Sequence, residues 1–183
     1  TCWFDRTIWF NISFDSETGT SPSITRGPHG TQCAGIIGAT TDNNLGISGI
    51  SSSCKLMSIS NSFAQTPDSR MKRADGINFA WRNGASIISN SWTSPIQYTV
   101  IDDAINLATT QGRNGKGCVV SFSSGNNNIN QVEYPSSLPN VISVGAMSPC
   151  GERKSPTSCD GETSWGSNYG SGLDVVAPGV QIS

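Results

Sequence analysis

The sequence predicts an α/β fold with a mainly parallel β-sheet flanked by helices. Short apolar segments typical of buried strands alternate with amphipathic segments of about ten to fifteen residues, which is the pattern of βαβ units. Right-handed crossovers between such strands follow from strand twist. The 183 residues fit one domain, with enough chain to bury roughly 70% of its unfolded surface.

The first half of the chain is predicted to hold two helices and one strand after a loop-rich lead-in. The lead-in, residues 1–26, is mixed in character and rich in Ser, Thr and Gly towards its end. A helix is predicted from His29 to about Thr40, where Asp42-Asn43-Asn44 supplies the stop. Residues 54–60 alternate as a strand does, and residues 69–83 place apolar side chains at helical spacing.

The second half is predicted to hold four strands and one helix. The strands are short apolar runs, and the helix has an apolar face. In chain order these elements are Ala85–Asn90, the helix over 97–112, Cys118–Ser123, Val141–Ala146 and Leu173–Ala177. Polar turns follow several of these strands. Because ligands bind beyond the carboxyl ends of parallel strands, we expect a site at that edge of the sheet.

Composition and charge exclude several classes of partner. The net charge is −2 and no basic run occurs, so the sequence offers no nucleic-acid surface. No apolar stretch approaches the roughly 18–20 residues of a membrane span. The first residues show no signal peptide. A composition rich in Ser, Asn, Thr and Gly is common in exported proteins, and we expect a secreted protein.

Six cysteines occur, an even number that favours disulfides in a secreted chain. Cys150 and Cys159 flank a short polar loop and form the best candidate pair. Cys33 is either a buried free thiol or the partner of Cys2, Cys54 or Cys118. No Cys-x-x-Cys spacing occurs and the chain has one histidine, so no zinc site is expected.

That histidine, His29, stands between small residues just before an apolar stretch. Imidazole is the side chain whose ordinary pKa lies nearest neutrality, so it can take and return a proton during turnover. The small neighbours let the backbone pack closely and leave the ring uncovered. A single histidine is also often a surface or core residue without a catalytic role.

Four further segments follow the histidine in the order and at the spacings of a known protein family. They are Ser-Ile-Ile-Ser-Asn-Ser-Trp-Thr at 86–93, the strand and Ser-Gly-Asn turn at 117–128, Tyr-Pro and the following strand at 134–146, and Leu-Asp-Val-Val-Ala-Pro-Gly at 173–179. With Pro-His-Gly-Thr at 28–31 they resemble the subtilisin-like serine proteases, the subtilases. Gly-Arg-Asn-Gly-Lys-Gly at 112–117 is similar to the kexin-like branch.

The resemblance implies a serine endopeptidase acting on polypeptides, with two of its groups in this chain. His29 matches the catalytic histidine, which accepts the serine proton and returns it to the leaving amine. Asn126 matches the asparagine whose side-chain N–H stabilises the developing oxyanion. Without the resemblance, Ser124-Gly125-Asn126 would be interpreted as a turn after a strand.

The aspartate and serine of the triad are not located. The family's aspartate ends a strand in Asp-Thr-Gly or Asp-Ser-Gly, a context that neither Asp5 nor Asp15 shares. The family's serine lies in Gly-Thr-Ser-Met-Ala after Ala-Pro-Gly, and Ser183 lacks that context. We therefore expect a subtilisin-like domain that is incomplete at both ends, with residues 27–183 forming its central region. We expect the isolated 183-residue chain to be inactive.

Further residues carry predicted contacts to substrate. Ser91-Trp92-Thr93 matches the family strand that pairs with substrate backbone by β-augmentation. Ser123, Ser124 and Gly125 belong to the loop beside it, and Glu133 takes a position that lines the pocket for the residue before the scissile bond. A carboxylate there could pair with a substrate Arg or Lys, or it could be a solvated rim residue.

No cofactor or metal is expected from this chain, while calcium binding by the parent protein stays open. Asp42-Asn43-Asn44-Leu45-Gly46 resembles a family loop that binds calcium through oxygen ligands, but a helix-ending turn is the commoner explanation of such a sequence. Two alternatives to an endopeptidase stay open. One is a non-catalytic peptide-binding module with this fold, and the other is a peptide ligase or cyclase that uses the same acyl-enzyme and excludes water.

Overall fold

The structure, a computed structural model, describes residues 10–24, 26–64 and 66–180. Two compact units make up the chain, one from residues up to Asn83 and the other from Gly84 onward. The elements, in order, are β1 (Phe10–Asp15), α1 (His29–Gly38), β2 (Leu56–Ser60), α2 (Ser69–Arg82), β3 (Ile87–Asn90), α3 (Thr99–Gly115), β4 (Val119–Ser123), β5 (Ile142–Met147) and β6 (Val175–Pro178).

The first unit is built on a two-stranded sheet in which β1 runs parallel to β2. Helix α2 packs closely on it. The ring of Phe14 stacks on that of Phe79 at 4.3 Å between centroids, and a Cβ added to Gly76 would lie 2.9 Å from Ile59. Burial of these apolar groups is the main force holding a helix on a sheet this small.

Strand β1 corrects the prediction that residues 1–26 form a loop-rich lead-in. Residues 10–15 form a strand, while residues 1–9 lie outside the described part of the chain. The reason is visible in the sequence, because Phe10, Ile12 and Phe14 alternate with polar residues. That period of two is typical of a strand.

The second unit is a four-stranded sheet of order β3-β4-β5-β6, and every neighbouring pair is parallel. The expected α/β architecture with a parallel sheet is confirmed. Helix α3 covers one face of this sheet through contacts with β4. The side chains buried there are Ile101, Ala104, Ile105 and Ala108 of the helix and Val120 and Phe122 of the strand.

The opposite face of this sheet is apolar and exposed. The first residue of each strand contributes to it: Ile87, Val119, Ile142 and Val175 are 67%, 41%, 38% and 49% exposed. Strand register and alternation place all four on one face. Since parallel sheets are ordinarily covered on both faces, this face is a surface on which a further layer can pack.

Helix α3 ends in backbone that is not helical. Gly112 is extended, and Arg113 and Asn114 have φ angles of 53° and 58°. The N–H of Gly117 then donates to the carbonyl of Gly112 at 2.8 Å. This turn directs the chain into β4, so helical geometry ends close to the predicted residue 112. In the described part of the chain no helix has the length and apolar character to cross a membrane.

Candidate active site

The loop that follows β4 presents an exposed carboxamide. The chain leaves the strand at Ser123, and Ser124 is buried with its N–H donating to the carbonyl of Val144 at 2.9 Å. Gly125 then takes a φ of +106°, which an L side chain rarely adopts. The next residue, Asn126, is exposed. The backbone therefore turns outward at Gly125 and places the Asn126 side chain in solvent.

A second segment holds this loop through Asn168, which is fully buried. Its side-chain oxygen accepts hydrogen bonds from the N–H groups of Asn127 at 2.9 Å and Ile129 at 3.3 Å. Its main-chain N–H donates to the carbonyl of Gly125 at 2.9 Å. Its carbonyl accepts from the hydroxyl of Ser124 at 3.2 Å. One residue thus binds the loop on both sides of Asn126.

Sequence reasoning missed Asn168. In Ser167-Asn168-Tyr169-Gly170 the residue has the character of an exposed turn, since Asn and Gly both favour turns. Nothing local in the sequence indicates that the Asn168 side chain accepts hydrogen bonds from a segment about forty residues away. Only the fold brings these segments together, through the parallel bridge between Asn127 and Gly166.

The carboxylate of Glu133 lies beside the same turn. Glu133 is half-buried, and one of its oxygens accepts a hydrogen bond from the side-chain amide of Asn127. The other oxygen and the amide nitrogen of Asn168 would lie 2.9 and 2.4 Å from a Cβ added to Gly125. Glycine at this position therefore leaves room for both groups. The Asn168 nitrogen is buried and has no hydrogen-bond acceptor among the described residues.

The predicted substrate strand follows β3. Ser91 is exposed, and Trp92 and Thr93 are half-buried. The Trp92 ring meets Phe122 edge-on at 5.0 Å, and its indole N–H donates to the side chain of Asn90 at 3.2 Å. Trp92 therefore packs on the sheet, with its indole N–H held by Asn90.

Backbone hydrogen bonds tie the segment that carries Glu133 to the segments that follow β3 and β4. The N–H of Ser94 donates to the carbonyl of Tyr134 at 2.8 Å, and the N–H of Glu133 donates to the carbonyl of Ser124 at 3.0 Å. Burial raises the pKa of the Tyr134 hydroxyl. Within the second unit, the structure thus brings together the predicted residues 91–93, 123–126 and 133 at the carboxyl ends of β3 and β4.

His29 lies in the first unit, as the first residue of α1, and is exposed. Its imidazole makes no hydrogen bond with another residue in the described part of the first unit. The ring is therefore available for proton transfer. His29 and Asn126, the two predicted catalytic groups, belong to different units, and their joint action at one site stays a prediction.

Asp15 ends strand β1, which corrects the expectation that no strand precedes it. Its carboxylate is fully buried and paired with Arg26, with 2.7 Å between Oδ2 and Nη2. The N–H of Glu17 donates to its other oxygen at 2.9 Å. Burial alone would raise the pKa of Asp15, but the hydrogen bonds from Arg26 and Glu17 lower it overall. Both oxygens are thus engaged. Asp5 and Ser183 lie outside the described residues.

A buried ammonium organises the loop between Cys150 and Cys159. Lys154 is fully buried, and its Nζ donates to the side chain of Asp160 at 2.9 Å and to the carbonyls of Ser155 at 3.0 Å and Glu162. Hydrogen bonds from the Ser158 hydroxyl and then from Lys154 lower the pKa of Asp160 to about 2. The loop is thus built around an internal ion pair.

The positions of the cysteines show which of the expected disulfides the structure allows. The structure brings the sulfur atoms of Cys150 and Cys159 within bonding distance, with their Cα atoms 6.3 Å apart. Cys54 is exposed and Cys118 is buried, and both are free thiols. Cys33, which is half-buried, therefore forms no disulfide with either. A bond between Cys33 and Cys2 would involve a residue outside the described part of the chain.

The Asp42-Asn43-Asn44-Leu45-Gly46 segment contains a turn. The side-chain oxygen of Asn43 accepts the N–H of Leu45 at 3.0 Å, and Asp42 and Asn44 have φ angles of 58°. Among residues 10–24, 26–64 and 66–180, no three His, Cys, Asp or Glu side chains are grouped so that they could hold a metal ion.

Comparisons with known proteins relate this chain to one family. A sequence profile of the subtilase family, Peptidase_S8, matches residues 5–183. Subtilisin Savinase from Lederbergia lenta is 32% identical over 154 residues, which make up 84% of this chain and 51% of that protein. The chain therefore spans about half the length of this relative.

Solved structures share the fold. MycP1 with its N-terminal propeptide removed has a TM-score of 0.66 at 22% identity, over 92% of this chain and 63% of that one. A mutant of the protease domain of PatA has a TM-score of 0.65 at 25% identity, over 82% of this chain and 52% of that one.

Proposed function

This chain belongs to the subtilase family, and from that membership we propose that the complete protein is a secreted serine endopeptidase to which it contributes a base and an oxyanion donor. The observation that carries the proposal is the loop after β4. There Asn126 is exposed while its neighbours Gly125 and Asn127 are hydrogen-bonded to Asn168. An exposed carboxamide carried on a loop held in this way is suited to stabilising a developing negative charge.

In the proposed reaction, His29 removes the proton from a serine hydroxyl as that oxygen attacks the scissile carbonyl. The imidazolium then gives the proton to the leaving amine. The side-chain N–H of Asn126 donates to the oxyanion of the tetrahedral intermediate, where charge is greater than in the ground state. The nucleophile and the orienting aspartate are assigned to none of the described residues. The reaction uses protein groups alone, and we propose no cofactor.

Substrate would bind as an extended strand along Ser91-Trp92-Thr93, since main-chain pairing tolerates many sequences. The side chain before the scissile bond would enter beside Ser123, Ser124 and Gly125. Glu133 supports a preference for Arg or Lys there. One of its oxygens is held by Asn127, and the other lies beside Gly125, in a position to accept from a substrate cation.

The test is peptide hydrolysis by the complete reading frame that encodes this chain. We expect cleavage of fluorogenic peptides by the parent and its loss in His29→Ala. Gln32→Ala, an exposed change one turn along α1, is the matched control and should keep the activity. Equal activity of His29→Ala and the parent would remove His29 from the mechanism.

The products of the same reactions distinguish the alternatives. Mass spectrometry that finds hydrolysed peptides supports an endopeptidase, and joined or cyclic peptides would assign a ligase. Binding of peptides without any product would assign a non-catalytic module.

Glu133→Gln should lower kcat/KM for Arg and Lys substrates by about tenfold, because one partly exposed charge pair is lost. The kcat/KM for an uncharged substrate should not change.

Localisation and the cysteine pair are tested on the same material. We propose that the protein is exported and that Cys150 and Cys159 form a disulfide in that oxidising environment. Peptide mapping of the secreted protein without reduction should find the two cysteines linked. Recovery of the protein in the cell with both thiols reactive would contradict both proposals.

A further inference from the structure

Asn168 makes four hydrogen bonds to the loop that follows β4 and carries Asn126. Its side-chain oxygen accepts the N–H groups of Asn127 and Ile129, at 2.9 and 3.3 Å. Its main chain adds a bond to the Gly125 carbonyl and one from the Ser124 hydroxyl. Two of these bonds reach the residue before and the residue after Asn126. The main-chain position and direction of Asn126 therefore depend on Asn168.

We propose that Asn168 is a positioning residue for the oxyanion donor, acting through the loop that carries Asn126. This inference rests on the proposed function of Asn126. The interaction of a carboxamide with an oxyanion depends steeply on its aim, because a shift of about 1 Å can cost about 100-fold in rate. The hydrogen bonds of Asn168 restrict such a shift.

The side chain at this position has to be an acceptor without charge. The N–H groups of Asn127 and Ile129 would lose their shared acceptor if an apolar residue stood at 168, and the loop would lose two of the hydrogen bonds that hold it. A carboxylate would accept both bonds but would place a second negative charge near Glu133, since the Asn168 nitrogen and the Glu133 oxygen both approach Gly125. An amide meets both conditions.

A buried hydrogen-bonding group also stabilises a fold, so the test has to separate positioning from stability. A double-mutant cycle on the complete protein does this. Asn126→Ala should lower kcat about 100- to 1000-fold, the range for loss of such a donor in a subtilisin. Asn168→Ala should lower kcat about 10- to 100-fold with little change in KM. In the Asn126→Ala background, Asn168→Ala should change kcat by less than about twofold.

The control is Ser143→Ala. Ser143 is also fully buried and hydrogen-bonded, to Ser136 at 2.8 Å, but no hydrogen bond joins its side chain to residues 124–129 in the described part of the chain. It should lower the midpoint of thermal unfolding without changing kcat of the folded protein. Multiplicative effects of Asn126→Ala and Asn168→Ala would overturn the inference. An unchanged kcat in Asn126→Ala alone would instead overturn the proposed function of Asn126.

Amide hydrogen exchange gives a readout that does not depend on activity. The N–H groups of Asn127 and Ile129 should lose protection in Asn168→Ala and keep it in Ser143→Ala. If Asn168→Ala does not fold, Asn168→Ser serves, since a shorter hydroxyl cannot reach both N–H groups. Protection retained at both amides in a folded Asn168 variant would refute the role of Asn168.

Discussion

Replacing Gly125 with alanine should destabilise the protein and misdirect Asn126. Two costs combine at this position. The backbone has a φ of +106°, outside the regions that L residues favour. The added Cβ would also lie 2.4 Å from the Asn168 nitrogen and 2.8 and 2.9 Å from the Glu133 carboxylate, distances that real Cβ contacts do not tolerate.

The magnitude follows from the two costs. A residue held in a sparsely populated backbone region costs about 1–3 kcal/mol, and forcing an extra methyl into occupied space costs about 1–3 kcal/mol more. The expected loss for Gly125→Ala is therefore about 2–6 kcal/mol. Gly172→Ala is the matched control, because Gly172 has a similar φ of +95° with no atom within 4 Å of the added Cβ. It should lose about 1–3 kcal/mol only.

The assay is thermal unfolding of the complete protein followed by circular dichroism, with initial rates of peptide hydrolysis measured on the same samples. Gly125→Ala should unfold at a lower temperature than Gly172→Ala and should lose kcat, because Asn168 and Glu133 have to move. Equal unfolding temperatures for the two variants would refute the contacts assigned to Gly125.

Three further predictions concern the site and the loop beside it. Asn126→Ala should lower kcat about 100- to 1000-fold with little change in KM. Initial rates measured across substrate concentrations check this, and a raised KM with unchanged kcat would contradict the oxyanion role. Lys154→Met should lower the unfolding midpoint far more than the exposed Lys116→Met, because it leaves the Asp160 carboxylate without its ammonium; equal midpoints would contradict the internal pair. The pKa of Asp160 falls from its ordinary 3.8 to about 2 on folding, so its contribution to stability is present above about pH 4 and is lost towards pH 2. Midpoints measured from pH 6 to pH 2 should therefore fall less steeply in Asp160→Asn than in the parent, and parallel curves would remove Asp160 from the acid response.

Much of the fold could be predicted because its signals are local. The strands from β2 to β6 and the three helices lie within a few residues of the predicted bounds, since apolar runs and Gly- or Asn-rich turns mark them. Strand β1 was missed even though Phe10, Ile12 and Phe14 alternate, because the Ser, Thr and Gly after it dominated the interpretation of residues 1–26.

The site was only partly predictable, because its supports act between segments distant in sequence. Asn126 and Glu133 carry a recognisable pattern, whereas Asn168 depends on contacts that the fold alone creates. The loop between the two cysteines is polar in sequence, yet Lys154 is fully buried in it. A lysine enters an interior when acceptors surround its ammonium, and three of the acceptors here come from the residues that follow it.

Labelling of the complete protein with a fluorophosphonate tests the central claim most directly, because this reagent phosphonylates a serine only when a base activates it. The account predicts rapid labelling of one serine in the parent, no labelling in His29→Ala and unchanged labelling in Gln32→Ala. Labelling of His29→Ala at the parent's rate, or none in the folded parent, would contradict it.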